Sequence, residues 1–277
     1  MEELRELQGL VQEAWRLRAP FVEAHVGDLA WWSREPAPNA RSWRDEGRVV
    51  AWGWLTPPAE LALLVAPQRE ELIAEILDWF EREAVGNEQE VWSLESDEAR
   101  IAELERRGYR RDGGPFFVHL ARPLTDLPEG KPPVGSVLRP LRGLSDVPAR
   151  VVIQRAAFVS TMTEEKYGHL LRTWPYRPEL DLVAEAPDGS FASFCTTWLD
   201  DEIGVGELEP VGTHPDHERR GLARATCLAA LNALREHGAH TAVVYARGDD
   251  AYPAPLKLYT SLGFEPVGRQ VRFVRSR

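Results

Sequence analysis

The sequence predicts an α+β protein that folds as two similar units. Runs with strand-like alternation and amphipathic helical runs follow one another along the whole chain. The order of these runs is the same in the first and second halves. The 277 residues are also nearly twice the length of a usual domain. Two domains of mixed secondary structure are therefore expected.

In the first half, apolar spacing predicts a helix over 2–19 that ends before Pro20. The elements predicted after it are strands at 21–32, 49–55 and 61–65, a helix at 70–83, a strand at 91–95, a helix at 97–107 and a strand at 116–121. Eight of the ten tryptophans lie before residue 93, so this half has the apolar content of a folded domain.

Residues 123–135 contain four prolines and two glycines and are predicted to link a first domain, 1–122, to a second, 136–277. The second domain is expected to contain strands at 136–142, 181–186, 190–199, 207–213 and 241–245, with helices at 146–158, after Gly221 and before Gly263. Pro187, Asp188 and Gly189 predict a tight turn between the strands at 181–186 and 190–199.

The stretch 207–230 has the most informative pattern. Its first part alternates, which would place Glu207, Glu209, Val211 and Thr213 on one face of a strand. A polar turn ending at Gly221 leads into an Ala/Leu-rich helix. Such a turn presents free backbone N–H groups and the positive end of a helix dipole, which favours an anion, most naturally a phosphate. Neither a nucleotide P-loop nor a Rossmann glycine motif is present.

Two motifs in this half resemble those of the GNAT superfamily of acyl-CoA N-acyltransferases. Thr213-His214-Pro215, followed by Arg219-Arg220-Gly221-Leu222-Ala223, resembles the pyrophosphate-binding motif, and Leu258-Tyr259 before Gly263-Phe264 resembles the closing helix and turn. The resemblance implies a three-layer αβα fold, a mixed, mostly antiparallel twisted sheet flanked by helices, and acetyl-CoA as co-substrate. The residues implied in its binding are Val211, Gly212, Thr213, Arg219, Arg220, Gly221, Leu222, Ala223 and Arg224.

The first half resembles the inactive N-terminal domain of tandem GNAT proteins. Val65-Ala66-Pro67 takes the place of the strand end before the loop, but no glycine follows it. Leu104 precedes Gly108 by the four residues that separate Tyr259 from Gly263. This half is therefore expected to have lost both the phosphate loop and the tyrosine, and to serve structure or wall the substrate cleft.

The chemistry of amide formation suggests roles for three residues. The resemblance implies that Tyr259 protonates the departing thiolate, for which a buried phenol is a suitable acid. Either Glu207 or Glu209 could accept the proton of the amine, with the family register slightly favouring Glu207. Both could instead recognise a cationic acceptor or face solvent. A backbone N–H near Val211 is expected to meet the thioester oxygen.

Composition narrows the classes of function. A net charge of −11 argues against nucleic acid and favours a small cationic amine as acceptor. No signal-like start or apolar run of bilayer length is seen, and two unpaired cysteines suggest a reducing cytoplasm. No metal-ligand spacing is present. The sequence predicts an N-acetyltransferase; a non-catalytic acyl-CoA sensor, O-acetyl transfer, a longer acyl donor and a homo-oligomer all stay open.

Overall fold

The computed structural model describes residues 2–35 and 39–277. In the first half, the chain forms four helices and six strands within this range: α1 Glu2–Arg18, α2 Val26–Trp32, β1 Asn39–Asp45, β2 Arg48–Thr56, β3 Glu60–Val65, α3 Leu72–Glu83, β4 Glu88–Leu94, α4 Glu98–Arg106, β5 Arg110–Arg111 and β6 Phe117–Pro123. Asp97 caps the start of α4, because its side chain accepts the amide of Arg100.

The second half contains four helices and six strands: β7 Val137–Pro140, α5 Val147–Ala157, α6 Glu164–Leu170, β8 Asp181–Glu185, β9 Phe191–Asp200, β10 Val205–Thr213, α7 Leu222–Glu236, β11 Thr241–Arg247, α8 Ala254–Ser261 and β12 Glu265–Ser276. The segment 167–178, which had no predicted structure, begins inside α6 and ends in a short 3₁₀ turn.

One predicted strand is wrong. Residues 21–32 were expected to be extended, but their second part forms α2. The helix begins because the His25 side chain accepts the amide of Gly27 while the carboxylate of Asp28 accepts the amide of His25, so both ends of a capping box are present. The strand β1, which the sequence did not predict, follows the segment 36–38 that lies outside the described residues.

All twelve strands belong to one sheet, with the order β1-β2-β3-β4-β12-β6-β11-β10-β9-β8-β7 and β5 beside β12. Two neighbouring pairs are parallel, β3 with β4 and β10 with β11, and the other pairs are antiparallel. Helices α3, α4, α7 and α8 cover one face and α1, α2, α5 and α6 cover the other. The three-layer α+β fold with a mixed sheet is confirmed.

The two halves exchange their last strands. β6 of the first half pairs along its whole length with β11 of the second, from Phe117 with Arg247 to Pro123 with Thr241. β12 of the second half pairs with β4 of the first, from Ser276 with Glu88 to Gln270 with Leu94. The division into residues 1–122 and 136–277 stays a prediction about sequence units, because in space each unit completes the sheet of the other.

The repeated architecture is visible in matching turns. The amide of Phe264 donates to the carbonyl of Tyr259 at 3.1 Å, and the amide of Tyr109 donates to the carbonyl of Leu104 at 3.0 Å. The intervening glycines, Gly263 and Gly108, have φ values of +83° and +84°. Both are therefore left-handed helix ends of the same kind. No helix among the described residues is long and apolar enough to cross a membrane.

Candidate active site

The strands β10 and β11 diverge in the middle of the sheet. They pair in parallel only from Val205 with Thr241 to Glu207 with Val243. β10 continues beside β9 on its other edge up to Thr213, which pairs with Ser193. The edge of β10 beyond Glu207 therefore faces a wedge-shaped opening, and its backbone groups on that side have no strand partner within the described sheet.

A bulge at the start of this opening overturns one prediction. The register of β10 on β9 shifts between Leu208 and Val211. Val211 consequently packs with Leu208 against the core under α7 and α8, whereas Glu207 faces α2 on the opposite side. The expected single face shared by Glu207, Glu209 and Val211 is wrong, because the extra residue of a bulge reverses the alternation beyond it.

The loop after β10 has the geometry of an anion site. Gly221 precedes α7 and has a φ of +79°. The first amide after Gly221 that donates to a carbonyl of this turn belongs to Ala225, and its acceptor is the carbonyl of Gly221. The amides of Leu222, Ala223 and Arg224 are thus at the open end of a fifteen-residue helix. Such an end attracts negative charge through unsatisfied N–H groups and the helix dipole.

Four arginines surround this loop. Arg219 lies in it with a φ of +63°, and the guanidinium of Arg220 is 3.4 Å from the ring of His217. Arg224 lies near Arg122 of β6, and this proximity, after burial, contributes to lowering the pKa of Arg122. Mutual repulsion between two guanidinium groups indicates a local excess of positive charge. Arg122 was missed by sequence reasoning because strand exchange brings it from the first half.

Gly212 has a packing role in addition to its place on the strand. A Cβ built on it would lie 2.5 Å from the Phe194 ring and 3.0 Å from the Cβ of Ala157. The neighbouring Thr213 hydroxyl donates to that of Ser193 at 3.2 Å, and Ser193 in turn donates to the carbonyl of Gly212 at 3.0 Å. This part of β10 is therefore fixed tightly to β9.

Tyr259 is buried in the core on the face of the sheet that α7 and α8 cover. It lies on α8, is 6% exposed, and its ring meets that of Phe264 edge-on at 5.9 Å. Burial raises the pKa of Tyr259 well above its usual range, with further contributions from Cys227, Cys195 and Glu209. Its phenol therefore stays protonated at neutral pH.

Glu207 is fully buried against α2. Its Oε2 is 3.3 Å from Nδ1 of His25, but that nitrogen already accepts the amide of Gly27, and Nε2 is 3.2 Å from the carbonyl of Val205. The imidazole is thus neutral, with its proton on Nε2, and burial lowers the pKa of His25. Neither carboxylate oxygen of Glu207 accepts a hydrogen bond from a described N–H or O–H donor. Burial, then the charge of Glu209, raises its pKa well above the usual range.

Glu209 differs from Glu207 in what it can reach. It lines a cavity of about 220 Å³ on the side of the sheet covered by α1 and α2, and also a second cavity beside the segment 158–162. Burial, then the neighbouring Asp28, raises the pKa of Glu209 to about 7. Burial, followed by the charge of Glu207, raises the pKa of Asp28 well above its usual range.

The first cavity lies between the two halves of the chain. Its lining is acidic and aromatic and contains no lysine, arginine or histidine: Glu23, Ala24, Asp28, Trp32, Trp52, Glu60, Ala62, Leu63, Trp92, Phe117, Glu209, Tyr245 and Gln270. Ten of these thirteen residues belong to the first half. Several carry buried polar atoms with no partner among the described residues, including Trp52 Nε1 and the Tyr245 hydroxyl.

Comparison with known proteins places this architecture in a family. The model of the acetyltransferase (GNAT) family matches residues 153–264. The chain is 31% identical over 263 residues to the mycothiol acetyltransferase of Rhodococcus opacus, with 84% of this chain and 81% of the relative covered. The chain belongs to the GNAT acetyltransferase family. A second relative, the mycothiol acetyltransferase of Rhodococcus jostii, is 30% identical with the same coverage.

Solved structures of GNAT proteins share the fold over the whole chain. A GCN5-related N-acetyltransferase from Sphaerobacter thermophilus superposes with a TM-score of 0.70 at 19% identity and covers 99% of this chain and 93% of its own. A tandem GNAT protein from the clavulanic acid biosynthesis pathway superposes with a TM-score of 0.67 at 17% sequence identity. The match covers 99% of this chain and 95% of that protein. This chain thus has the tandem GNAT arrangement. Its family and its mycothiol acetyltransferase relatives support an acyl-CoA-dependent N-acetyltransferase.

The sequence motifs of this GNAT protein did not reveal the first-half side of the site. Asp28, Trp52 and Glu60 come from segments that are distant in sequence and carry no motif. Tyr245 is the last residue of the predicted strand 241–245, where alternation alone assigns it no function. One signal was available: the acidic and tryptophan-rich composition of the first half matches the acidic and aromatic lining of the cavity.

Proposed function

We propose that the enzyme transfers the acetyl group of acetyl-CoA to a primary amine of a small cationic acceptor by direct attack. The observation that carries this proposal is the cavity at the divergence of β10 and β11, with four carboxyl side chains and no basic residue in its lining. The carboxyl oxygens of such a lining can accept the N–H groups of an amine, and Glu209, whose pKa is about 7, attracts an ammonium group when it is ionised. The mycothiol acetyltransferase relatives make the unacetylated precursor of mycothiol the first acceptor to assay.

Acetyl-CoA would enter the opening from the side of α7 and α8. The amides of Gly221, Leu222 and Ala223, with Arg219, Arg220 and Arg224, would bind the pyrophosphate at the start of α7. The unpaired edge of β10 from Val211 to Thr213 would hold the pantetheine arm and the thioester. An N–H near Val211 would donate to the thioester oxygen as negative charge develops on it.

Glu209 is the proposed base. It lines the cavity, whereas both oxygens of Glu207 are buried away from it. The amine nitrogen forms a bond to the acetyl carbon and gives a proton to the carboxylate of Glu209. Because its pKa is about 7, Glu209 is substantially ionised at neutral pH and is still basic enough to accept a proton. Burial and the neighbouring Asp28 raise this pKa, and Arg34 opposes them.

Tyr259 is the proposed acid. When the tetrahedral intermediate collapses, the carbon–sulfur bond breaks and the phenol gives its proton to the thiolate sulfur. The raised pKa of Tyr259 keeps this proton available across the neutral range. The supporting geometry is its location on α8, on the opposite side of the sheet from the cavity that Glu209 lines.

The test compares Glu209→Gln with Glu207→Gln. Acetyl transfer to a panel of amines, including the unacetylated mycothiol precursor, is followed by mass spectrometry of the product. We expect Glu209→Gln to lower kcat/KM roughly 10²- to 10⁴-fold and to remove an acidic limb near pH 7 from the pH profile. Glu207→Gln should keep that limb. The opposite pattern would make Glu207 the base. If the enzyme acetylated none of the amines in the panel, the proposed function would be refuted.

A further inference from the structure

Tyr245 occupies on β11 the position that Glu209 occupies on β10. The last pair of the two parallel strands is Glu207 with Val243, and each of the two residues lies two positions beyond it. Both side chains line the same cavity. The strands therefore carry one polar side chain each to the two sides of the opening, at the level where transfer is proposed.

The hydroxyl of Tyr245 is buried and has no hydrogen-bond partner among the described residues. A buried polar group without a partner is unfavourable, and a ligand that hydrogen-bonds to it removes this cost. The ring is fixed by stacking on His119, with centroids 4.1 Å apart and planes inclined by 36°. A hydroxyl that is held in place, unsatisfied and at the edge of a cavity is a preformed contact for a ligand.

We propose that Tyr245 is a further catalytic residue, whose hydroxyl oxygen accepts one N–H of the acceptor amine while Glu209 accepts the other. This inference rests on the proposed function, since it requires an amine acceptor and Glu209 as base. A neutral primary amine has two N–H bonds and one lone pair. With an acceptor on each strand holding one N–H, the lone pair is left to point into the opening, toward the thioester.

The proton balance leaves Tyr245 unchanged. The first proton of the bound ammonium passes to solvent, the N–H proton lost on attack goes to Glu209, the proton of Tyr259 goes to sulfur, and Tyr245 retains its own throughout. Burial raises the pKa of Tyr245 well above its usual range, and the nearby charges of Glu207, Asp28 and Glu23 act in the same direction. The group is therefore a neutral phenol and acts as a hydrogen-bond partner, not as a second base.

A preference for primary over secondary amines follows. An N-methylated acceptor has one N–H after losing its first proton, so it can satisfy Glu209 or Tyr245 but not both. Removing the hydroxyl should therefore harm primary amines more than secondary ones. If the role of Tyr245 were purely structural, removing its hydroxyl would lower kcat/KM for both acceptors by the same factor.

The experiment measures kcat/KM for a primary amine acceptor and its N-methyl derivative with wild-type enzyme and Tyr245→Phe. We expect the variant to lose roughly tenfold on the primary amine and little on the secondary one, so that their ratio narrows. Tyr109→Phe is the matched control, since it removes a tyrosine hydroxyl that donates to Gln89 in the first half, away from the cavity. It should leave the ratio unchanged.

Equal losses on both amines, or an unchanged primary amine rate, would overturn the role of Tyr245. If the wild-type enzyme acetylates no amine, the proposed function fails, but Tyr245 can still be tested by binding. Calorimetric titration of the two amines into enzyme with coenzyme A, which has no acetyl group to transfer, should show a primary-amine preference that Tyr245→Phe removes. Equal affinities of the wild-type protein for the two amines would then refute the inference separately.

Discussion

The indole Nε1–H of Trp198 donates to the carbonyl oxygen of Glu209 at 2.6 Å. Trp198 is fully buried on β9, and its hydrogen bond crosses to β10 at the bulge, where the regular pairing of the two strands is interrupted. A side chain thus replaces a lost ladder bond and fixes the backbone that carries the proposed base.

Replacement of Trp198 by Phe tests this link. We expect a loss of about 1 kcal/mol in the free energy of unfolding, because the Glu209 carbonyl loses its donor. We also expect kcat to fall roughly tenfold while the Kd for acetyl-CoA changes little. Denaturant titration measures the free energy of unfolding, and steady-state kinetics measure kcat. Trp174→Phe, at a partly exposed position stacked on Arg5, is the control; an equal fall in kcat there would contradict a specific role for Trp198.

Removal of the Tyr259 hydroxyl should affect chemistry and spare binding. Tyr259→Phe keeps the ring that packs against Phe264 and loses only the proposed acid. Turnover is expected to fall roughly a hundredfold or more with an unchanged Kd for acetyl-CoA in a calorimetric titration. Unaltered turnover would remove Tyr259 from the mechanism. The same titration should give one site per chain if the first half has lost its phosphate loop.

The loop glycine has a matched control at the other end of the same helix. Gly221 and Gly238 have φ values of +79° and +98°, and neither has an atom within 4 Å of a built Cβ. Alanine at either position should cost about 1 kcal/mol of stability because of the left-handed backbone. Only Gly221→Ala should weaken acetyl-CoA binding, by roughly tenfold. Equal affinities of the two variants would argue against pyrophosphate at the start of α7.

His119 should make stability depend on pH. Burial lowers its pKa from 6.5 to about 4, so the folded protein holds it neutral while the unfolded chain binds a proton near 6.5. The contribution of neutral, buried His119 to the free energy of unfolding is complete above pH 6.5 and is lost as the pH falls toward 4. Relative to His119→Gln, the wild-type protein should lose roughly 2 kcal/mol of unfolding free energy between pH 7 and pH 5. Parallel pH curves for the wild type and His119→Gln would contradict the assignment.

Local sequence chemistry predicted the features that depend on local structure. Gly221, Gly263 and the turn after Tyr259 were identified from short motifs, because a left-handed glycine and a helix end are specified within a few residues. The same reasoning failed at α2, where an apolar run could be read as either a strand or a helix and a capping box decided the outcome.

Features that depend on distant packing were not predictable from pattern. Tyr245 lies beside the opening because the pairing of β10 with β11 ends at Val243. The bulge at Glu209 reverses which face of the strand the following side chains occupy, although the sequence shows a regular strand-like alternation there. Neither effect leaves a mark in the local sequence. Arg122 lies near Arg224 only because β6 crosses into the other half.

The exchanged strands impose an order on the synthesis of this protein. β12 is synthesised after the other eleven strands, yet it is the strand that pairs with β4 and lies between β4 and β6. Until residue 276 has emerged, the early half presents open sheet edges, which are prone to pair with other chains. A product that stops before Glu265 therefore leaves both halves incomplete and lacks Gln270, which lines the cavity between them.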